Sequence, residues 1–411
     1  MLTRQGWGVA IAAIAMIGLG RVLGTLELFL LGAALGALVV IVVVRAALLE
    51  LDVGVRRDVH PPRVHAGAPS RIELAVTNRS HRPTPVLRIV DAVSGTRGAD
   101  LGLAPIQPGG QARAAYRLPT ERRGIITIGP LDVVLGDPFG LTSVQVRGAG
   151  RTELTIYPRI DPIVGLPEAA GHDPEATNQS PGSLGSSAEE FFALRPFEIG
   201  DELRRVHWPS TARFDELLVR QTELPTQSRA TVLLDLRADS QNEASLDLSV
   251  SAAASILTAA RRDGDLFRLV CTDGTDSGFV PGNAAYAAVL EYLATVGLSH
   301  GAQLNRILES VTRTSHGGAL VMVSGALTQH DRARVDALRP RFSTLTTVLI
   351  DRSAWDHRTR DAEQVGSTTP TEIHVTGATP FPAAWNEAMA RRRRSGARST
   401  ARLATVEGSP T

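Results

Sequence analysis

Residues 191–223 read FFALRPFEIGDELRRVHWPSTARFDELLVRQTE, the block of the chain that is densest in charged and aromatic side chains. A loop-like region precedes this block, and a run of alternating helices and strands follows it. Gly200 supplies a turn, and the carboxylate of Asp201 can cap a short helix over residues 202–208. A strand is predicted over residues 216–223. The block therefore predicts a junction between two domains of different architecture.

The composition of the chain excludes several kinds of chemistry. All 43 basic residues are arginine, so neither a Schiff-base lysine nor the phosphate-binding lysine of a P-loop is available. The formal net charge of +1 argues against a dedicated nucleic-acid-binding protein. The single cysteine, Cys271, lies in an apolar run, and we expect a buried thiol rather than a nucleophile.

Two apolar runs open the chain and predict a transmembrane helical hairpin over residues 1–48. The predicted helices cover about residues 7–26 and 28–44, close to the length of about 20 residues that crosses the hydrocarbon of a bilayer. A signal peptide ending near Gly20 is the alternative. It does not account for the second apolar run, so the hairpin is the preferred interpretation.

Arginine residues beside the two runs predict the orientation of the hairpin. Arg4 precedes the first helix, and Arg45, Arg56 and Arg57 follow the second. Such residues favour the cytoplasmic side of a membrane. We therefore expect a multi-pass protein of the cell membrane with the bulk of the chain in the cytoplasm.

Short strands separated by glycine and proline predict a β-sandwich-like domain over residues 51–160. Residues 161–190 are rich in Gly, Pro, Ser and acidic side chains, and they predict a linker. The sequence Asp137-Pro138-Phe139-Gly140 has turn chemistry, and Phe139 is predicted to plug the base of the sandwich.

A series of motifs runs through the strand-rich part of the chain: Arg122-Arg123-Gly124, Gly129-Pro130-Leu131, Asp137-Pro138-Phe139-Gly140-Leu141 and Tyr157-Pro158. This series resembles the region before the core of the bacterial family called domain of unknown function 58. The more specific part of the resemblance is the segment 191–227, whose matching residues are Arg195, Phe197, Gly200, Asp201, Arg204, His207, Trp208 and Arg213. Phe197 stands where the family has Tyr, and Thr211 separates Ser210 from Ala212.

The signature residues allow two compatible interpretations. In the first, Arg195, Asp201, Arg204 and Arg213 form an ion-pair network, and Trp208 is a hydrophobic anchor. In the second, the segment is a docking surface for a protein partner, since Trp and Arg are over-represented at the centres of interfaces. A hydrolase that uses Asp201 and His207 is a third hypothesis, for which no nucleophile is placed by a motif.

Continuous apolar strands that alternate with helices over residues 228–394 predict a mostly parallel sheet covered on both faces. The order resembles a von Willebrand factor A domain, which implies a Mg²⁺ site at the carboxyl edge of the sheet. The implied ligand loop is degenerate here at Asp235, Arg237 and Asp239, and Gly325 stands where a further Asp is usual. We therefore expect no metal by the usual scheme and an Asp235–Arg237 pair in its place. Residues 395–411 are predicted to be a disordered tail.

The resemblance implies a function that the residues themselves do not demonstrate. We expect a membrane-anchored, non-enzymatic adaptor or scaffold that works with a MoxR-type AAA+ ATPase in the assembly or maturation of other proteins. No catalytic residue, cofactor or nucleic-acid partner is predicted. The alternatives are a hydrolase of unknown substrate and an outward-facing cell-envelope factor.

Overall fold

The computed structural model describes residues 2–48, 52–137, 139–167, 191–197, 206–214, 216–222, 228–279, 283–314, 317–352 and 372–406. The chain forms two compact units. One comprises Met1–Arg159 with Leu290–Thr295, and the other comprises Ile160–Val289 with Val296–Thr411. Two apolar helices, several antiparallel strand pairs and a parallel sheet are present, which confirms the coarse fold predicted from the sequence.

Two long apolar helices open the chain, α1 (Arg4–Leu23) and α2 (Leu26–Ala47). Their 20 and 22 residues extend roughly 30 and 33 Å, and both helices are long and apolar enough to cross a membrane. Gly24 ends α1 with a φ of 69°, a left-handed conformation that suits glycine. The turn therefore falls earlier than the predicted boundary near residue 26.

Glycine residues let α1 and α2 approach closely. A Cβ atom on Gly20 would lie 2.6 Å from the backbone nitrogen of Phe29, and one on Gly32 would lie 2.9 Å from that of Ile17. Small residues at such contacts are a common means by which apolar helices pack without a hydrophobic driving force between them.

Nine strands follow the two helices in the first unit: β1 (Val53–His60), β2 (Arg63–His65), β3 (Arg71–Asn78), β4 (Leu87–Val93), β5 (Ala99–Leu103), β6 (Gln111–Arg117), β7 (Gly124–Gly136), β8 (Ser143–Ala149) and β9 (Thr152–Tyr157). A three-stranded antiparallel sheet has the order β1-β3-β6. A six-stranded sheet has the order β2-β9-β7-β4-β5, with β8 beside β7. Its β2–β9 pair is parallel and its other pairs are antiparallel.

Both sheets bury alternate residues in one hydrophobic core. In β3 the inward residues Ile72, Leu74 and Val76 are at most 1% exposed, which confirms the predicted alternation. In β4 the inward residues include Leu87 and Ile89, neither of which is exposed. Because these side chains belong to the same cluster, the core lies between the two sheets.

An ion pair joins the two sheets inside this unit. Arg57 of β1 donates from Nη1 to Asp91 Oδ1 of β4 at 2.9 Å, and both side chains are at most 2% exposed. Tyr116 of β6 donates to the other oxygen of Asp91 at 2.7 Å. Burial, together with the ionised Asp91, raises the pKa of the Tyr116 hydroxyl well above its usual value, so it remains a donor.

Phe139, in the loop between β7 and β8, does not plug the base of the domain as predicted. This side chain is 60% exposed, whereas Leu141 is 4% exposed and packs against Val39 and Val42 of α2. The loop turns as predicted at Gly140, whose φ is 68°. The register of that turn directs Leu141 inward, so Phe139 cannot plug the base of the domain.

The elements of the C-terminal part are β10 (Phe191–Pro196), α3 (Trp208–Phe214), β11 (Leu218–Thr222), β12 (Arg229–Leu234), α4 (Glu243–Arg262), β13 (Leu266–Cys271), α5 (Asn283–Thr295), α6 (Leu304–Thr314), β14 (Ala319–Ser324), α7 (Gln329–Asp336), β15 (Thr344–Ile350), β16 (Glu372–Val375) and α8 (Phe381–Val406). A five-stranded sheet has the order β13-β12-β14-β15-β16, and every pair in it is parallel. Cys271 is fully buried at the end of β13, as predicted.

Two segments differ from their predictions. The predicted linker begins with a fixed stretch, since the carbonyl of Val164 accepts from Trp385 Nε1 at 2.8 Å and its N–H donates to Asn386 Oδ1 at 2.9 Å. Residues 168–190 of that linker lie outside the described residues. Helix α8 continues into the predicted disordered tail as far as Val406, because Ala and Arg in this stretch are good helix formers. Residues 407–411 lie outside the described residues.

Candidate functional site

The ends of two neighbouring strands, β12 and β14, define the candidate site. Asp235 directly follows β12, and Ser324 ends β14. After β12 the chain crosses to β13 on one side, and β14 then returns on the other side. Ligands of open α/β sheets bind at the carboxyl ends of strands where the connections diverge in this way. The predicted degenerate loop therefore lies at the switch point of the sheet.

The Asp235 carboxylate is fully buried at this edge and is satisfied by several donors. Its Oδ2 accepts from Ser324 Oγ at 2.7 Å, and its Oδ1 accepts from Thr272 Oγ1 at 3.4 Å and from the Arg237 N–H at 3.2 Å. The Asp235 carbonyl accepts from the side-chain amide of Gln241. Residues at the ends of β13 and β14 thus fix the position of the Asp235 carboxylate.

The guanidinium of Arg237 bridges two carboxylates. Its Nε lies 3.0 Å from Asp235 Oδ1 and its Nη2 lies 2.9 Å from Asp235 Oδ2, a bidentate pair. Its Nη1 lies 3.3 Å from Asp331 Oδ2. The Arg237 and Asp331 side chains are only 13% and 10% exposed. The Asp235–Arg237 pair expected from the sequence is therefore present, with a second acid that the sequence analysis did not identify.

The surroundings keep Arg237 charged. Burial by itself lowers the pKa of its guanidinium, but the hydrogen bonds to Asp235 and the negative charges of Asp235 and Asp331 outweigh this and raise the pKa. The side chain is consequently a permanent cation that bonds to the carboxylates a divalent ion would need as ligands. The absence of a metal from this edge stays a prediction.

Asp331 is fixed by a helix cap rather than by the strand loop. It occupies the first turn of α7, where Thr328 Oγ1 accepts from the Asp331 N–H at 3.1 Å and Asp331 Oδ2 accepts from the Thr328 N–H at 3.3 Å. This reciprocal pattern is a capping box. The spacing Thr328-x-x-Asp331 was the available sequence signal, because it places an acid at the start of the helix that follows β14.

Asp239 and Gly325 occupy the other two positions at which the resemblance implies a metal ligand, and neither is placed to supply one. Asp239 is exposed, and it acts on Arg237 only as a nearby negative charge. A Cβ atom on Gly325 would lie 2.5 Å from the carbonyl oxygen of Ser240. Because that neighbour is backbone, an Asp at position 325 requires the loop to move, so the absence of this ligand is built into the packing.

The signature segment folds locally into a β ribbon with a short helix. Strands β10 and β11 pair antiparallel, and β10 was not predicted as a strand. Val206 bridges Val219, and helix α3 begins at Trp208. Residues 202–205 of the helix predicted over residues 202–208 lie outside the described residues, and Val206 and His207 are not helical. His207 Nδ1 accepts from the Ser210 N–H at 3.3 Å and lies 2.7 Å from Ser210 Oγ. His207 therefore caps the N-terminus of α3, which begins at the next residue, Trp208.

The structure describes only part of the predicted signature site. Gly200, Asp201 and Arg204 lie outside the described residues, as does the Arg195 side chain. The predicted ion-pair network and the Asp201–His207 pair therefore stay predictions. Phe197 is half-buried and Arg213 is exposed. Trp208 is 61% exposed, so the interpretation of Trp208 as a hydrophobic anchor is wrong.

Comparison with known families gives one match. Residues 193–357 match the family described as "Protein of unknown function DUF58". The match includes β11, α3, Trp208 and the Arg237 cluster, and it supports the resemblance drawn from the sequence motifs. No curated protein sequence matches the chain.

Solved structures resemble only parts of the chain. The CARDB domain of a Pyrococcus furiosus protein in complex with di-metal ions is 13% identical, with a TM-score of 0.22 over 26% of this chain and 96% of that domain. The C-terminal domain of wzt is 12% identical, with a TM-score of 0.21 over 27% of this chain and 78% of that one. The Pseudomonas fluorescens alkylpurine DNA glycosylase AlkC, bound to DNA containing an abasic site analogue, is 13% identical, with a TM-score of 0.19 over 32% and 39%. Similarity at this level carries no argument about function.

Proposed function

We propose that the chain is a membrane-anchored, non-enzymatic adaptor that presents a docking surface to a MoxR-type AAA+ ATPase. In this proposal α1 and α2 span the cell membrane, and the remainder of the chain lies in the cytoplasm. The first unit is a β-sandwich-like domain, and the parallel sheet with its helices is a von Willebrand factor A-like domain. The assembly or maturation of other proteins is the process that the adaptor serves.

The exposure of Trp208 is the observation that carries this proposal. A Trp that is 61% exposed contributes little to a core, and it lies in the segment matched by the family. Large aromatic side chains on a surface are the residues that most often dominate the binding energy of a protein interface. Trp208 is the first residue of the short helix α3, whose start is capped by the contact between His207 and Ser210.

The Arg237 cluster supports a binding role over a catalytic one. A ligand crevice at the switch point normally offers unpaired oxygens or an open cation position. Here a built-in guanidinium bonds to both carboxylates, at 2.9 Å and 3.3 Å. The edge of the sheet is then a rigid surface that needs no exchangeable ion for its shape.

Affinity capture from crosslinked native membranes tests the proposal. We expect full-length protein to recover a MoxR-type ATPase, identified by mass spectrometry. The Trp208→Ala variant is expected to recover roughly tenfold less, the effect of losing an interface residue worth more than 1 kcal/mol. Because Trp208 is exposed, its replacement is expected to change unfolding stability by only about 0.5 kcal/mol.

Leu217→Ala is the matched control, since Leu217 is 41% exposed in the same segment and is also apolar. Its recovery of the ATPase is expected to stay close to that of the wild type. Equal recovery by wild type and Trp208→Ala contradicts the proposal. So does an unfolding transition that shifts in parallel with the lost recovery, because that result assigns Trp208 a structural role.

A further inference from the structure

A cavity of about 530 Å³ lies within the first unit, where the end of α2 meets the six-stranded sheet. Helix α2 contributes Val42 and Arg45 to its wall, and the sheet with its loops contributes Val86, Val134 and Val144. Because α2 is long enough to cross the hydrocarbon, its last turn belongs at the membrane–water boundary. The cavity then opens at the depth of the lipid headgroups.

The wall of the cavity combines apolar surface with one uncommitted cation. Arg88 also lines it, but its Nε donates to Asp100 Oδ1 at 2.7 Å. Arg45 is exposed and has no ion pair or side-chain hydrogen bond with any residue in the described part of the chain. A guanidinium in this position is available to an anionic group from outside the protein.

The acid in the wall is engaged by its own loop. Asp137 accepts from the Phe139 N–H at 2.8 Å, from Thr142 Oγ1 at 2.9 Å and from the Thr142 N–H. Burial raises the pKa of the Asp137 carboxyl, but these hydrogen bonds outweigh it and hold the pKa below its usual value. The carboxylate thus stabilises the loop instead of neutralising Arg45.

Exposed apolar side chains occur in the cavity wall and in the loop that adjoins it. Val86, which lines the cavity, is 62% exposed, and Phe139, two residues after the lining residue Asp137, is 60% exposed. The loop that carries Phe139 is tied to the start of α1, because the Thr3 N–H donates to the Leu141 carbonyl at 2.9 Å. The buried side chain of Leu141 packs on Val42. Apolar groups held at this level are better solvated by the boundary between headgroups and acyl chains than by water.

We propose that this cavity binds an anionic phospholipid, with the lipid phosphate on the Arg45 guanidinium and the glycerol and upper acyl carbons against Val42 and Val86. Phe139 inserts into the same leaflet beside the lipid. The inference rests on the proposed membrane anchoring. Pairs of Arg with phosphate are charge-assisted and frequently bidentate, which favours a lipid whose headgroup carries a net negative charge.

Native mass spectrometry of the full-length protein in detergent tests the site, with phosphatidylglycerol and phosphatidylcholine as the two probes. Wild type is expected to retain phosphatidylglycerol preferentially. The Arg45→Gln variant is expected to retain about tenfold less of it, as loss of one charge-assisted contact predicts, with phosphatidylcholine unchanged. Arg45→Lys keeps the charge and is expected to retain most of the binding.

Arg56→Gln is the matched control. It removes the same charge close to the membrane, but Arg56 is 79% exposed, pairs with Asp58 at 2.9 Å and does not line the cavity. Equal retention of the two lipids by wild type overturns the proposal, as does an equal loss in Arg45→Gln and Arg56→Gln. Displacement of the lipid by an equimolar amount of inorganic phosphate assigns the site to a free anion and also overturns it.

Alkaline extraction of native membranes separates this inference from the proposed function. Wild-type protein that stays in the membrane pellet while the lipid test fails removes the lipid site and leaves the anchor intact. Release of the protein into the soluble fraction removes the anchor, and the lipid site with it.

Discussion

The side chain of Arg237 determines the charge balance at the carboxyl edge of the parallel sheet, because it pairs with both acids there. A buried carboxylate at this edge requires a cation, and the sequence supplies one covalently in Arg237. The distances of 2.9 Å to Asp235 and 3.3 Å to Asp331 show that one guanidinium meets both charges. The cost of burying Asp235 is offset only while that cation is present.

Replacing Arg237 with Ser is expected to destabilise the protein strongly. The substitution leaves Asp235 buried without a counter-charge, a change that typically costs about 3–5 kcal/mol. The substitution also leaves space beside the oxygen atoms of Asp235, Ser324 and Asp331, which could then bind a divalent ion. With a dissociation constant near 1 mM, 10 mM Mg²⁺ is expected to restore about 1.4 kcal/mol to the variant. Urea unfolding of the full-length protein in detergent, with and without Mg²⁺, measures both effects.

Arg339→Ser provides the comparison for this experiment. Arg339 pairs with Asp336 at 2.8 Å, but the two side chains are 47% and 50% exposed, so its loss is expected to cost less than about 1 kcal/mol. If Mg²⁺ stabilises the wild type as much as it stabilises Arg237→Ser, the prediction is wrong. That result would mean that the guanidinium and the ion do not compete for the same carboxylates.

Strands β1 and β4 belong to different sheets, and a buried ion pair joins them across the core that the two sheets share. Arg57 and Asp91 are 2.9 Å apart with side-chain exposures of 2% and 0%. Tyr116 of β6 adds a third contact to the same carboxylate. A buried pair of this kind fixes which faces of the sheets meet, and the strands carry it at positions that would otherwise be apolar.

Asp91→Ala is expected to lower the free energy of unfolding by about 3–5 kcal/mol, because it removes the counter-charge of the buried Arg57 and leaves it only neutral acceptors, the Gly150 carbonyl and Thr152 Oγ1. The double variant Arg57→Met with Asp91→Leu is expected to recover part of this loss, since the two apolar residues need no counter-charge. The recovery is incomplete because the Tyr116 hydroxyl loses its acceptor. Urea unfolding followed by far-UV circular dichroism measures the difference.

Asp100→Ala is the surface comparison for Asp91→Ala. Asp100 lies on the neighbouring strand β5 and pairs with Arg88, but both side chains are more than half exposed. Little change in stability is expected there. If the double variant is as unstable as Asp91→Ala, the ion pair is not what holds the sheets and the interpretation fails.

The strands that follow α2 and the C-terminal unit are both proposed to lie on one side of a membrane. The two apolar helices are joined by a turn at Gly24, so residues before α1 and after α2 emerge on the same side. Arg57 is one of the arginines that suggested the cytoplasmic side, and it is buried in the folded unit. Its charge can act on orientation only while the chain is inserted and still unfolded.

Alkaline phosphatase fused to the C-terminus is expected to be inactive, because that enzyme folds only on the outer side of the membrane, where its disulfides form. The same reporter inserted at Gly24 is expected to be active. Enzyme assays on intact cells compare the two fusions. An active C-terminal fusion contradicts the cytoplasmic assignment and returns the outward-facing cell-envelope factor to consideration.

Local pattern was sufficient for most of the secondary structure. The alternation of Ile72, Leu74 and Val76 predicted a half-buried strand, and the apolar runs predicted the two N-terminal helices and the parallel strands, because burial of a periodic face requires no knowledge of the partner. The same reasoning failed for Phe139 and Trp208. A large aromatic side chain is normally buried, and only the register of the turn or the start of the helix determines where it lies.

The sequence alone determined the apolar helices, the alternation of strands and helices along the chain, the family resemblance and the pairing of Asp235 with Arg237, two residues apart. The tertiary structure added Asp331 to that pair, Asp91 to Arg57, and the cavity beside Arg45. Each of these joins residues that are distant in the chain, 94 positions apart for Arg237 and Asp331. Periodicity and spacing act over a few residues, whereas contacts across a sheet edge or between two sheets depend on topology, which no local pattern encodes.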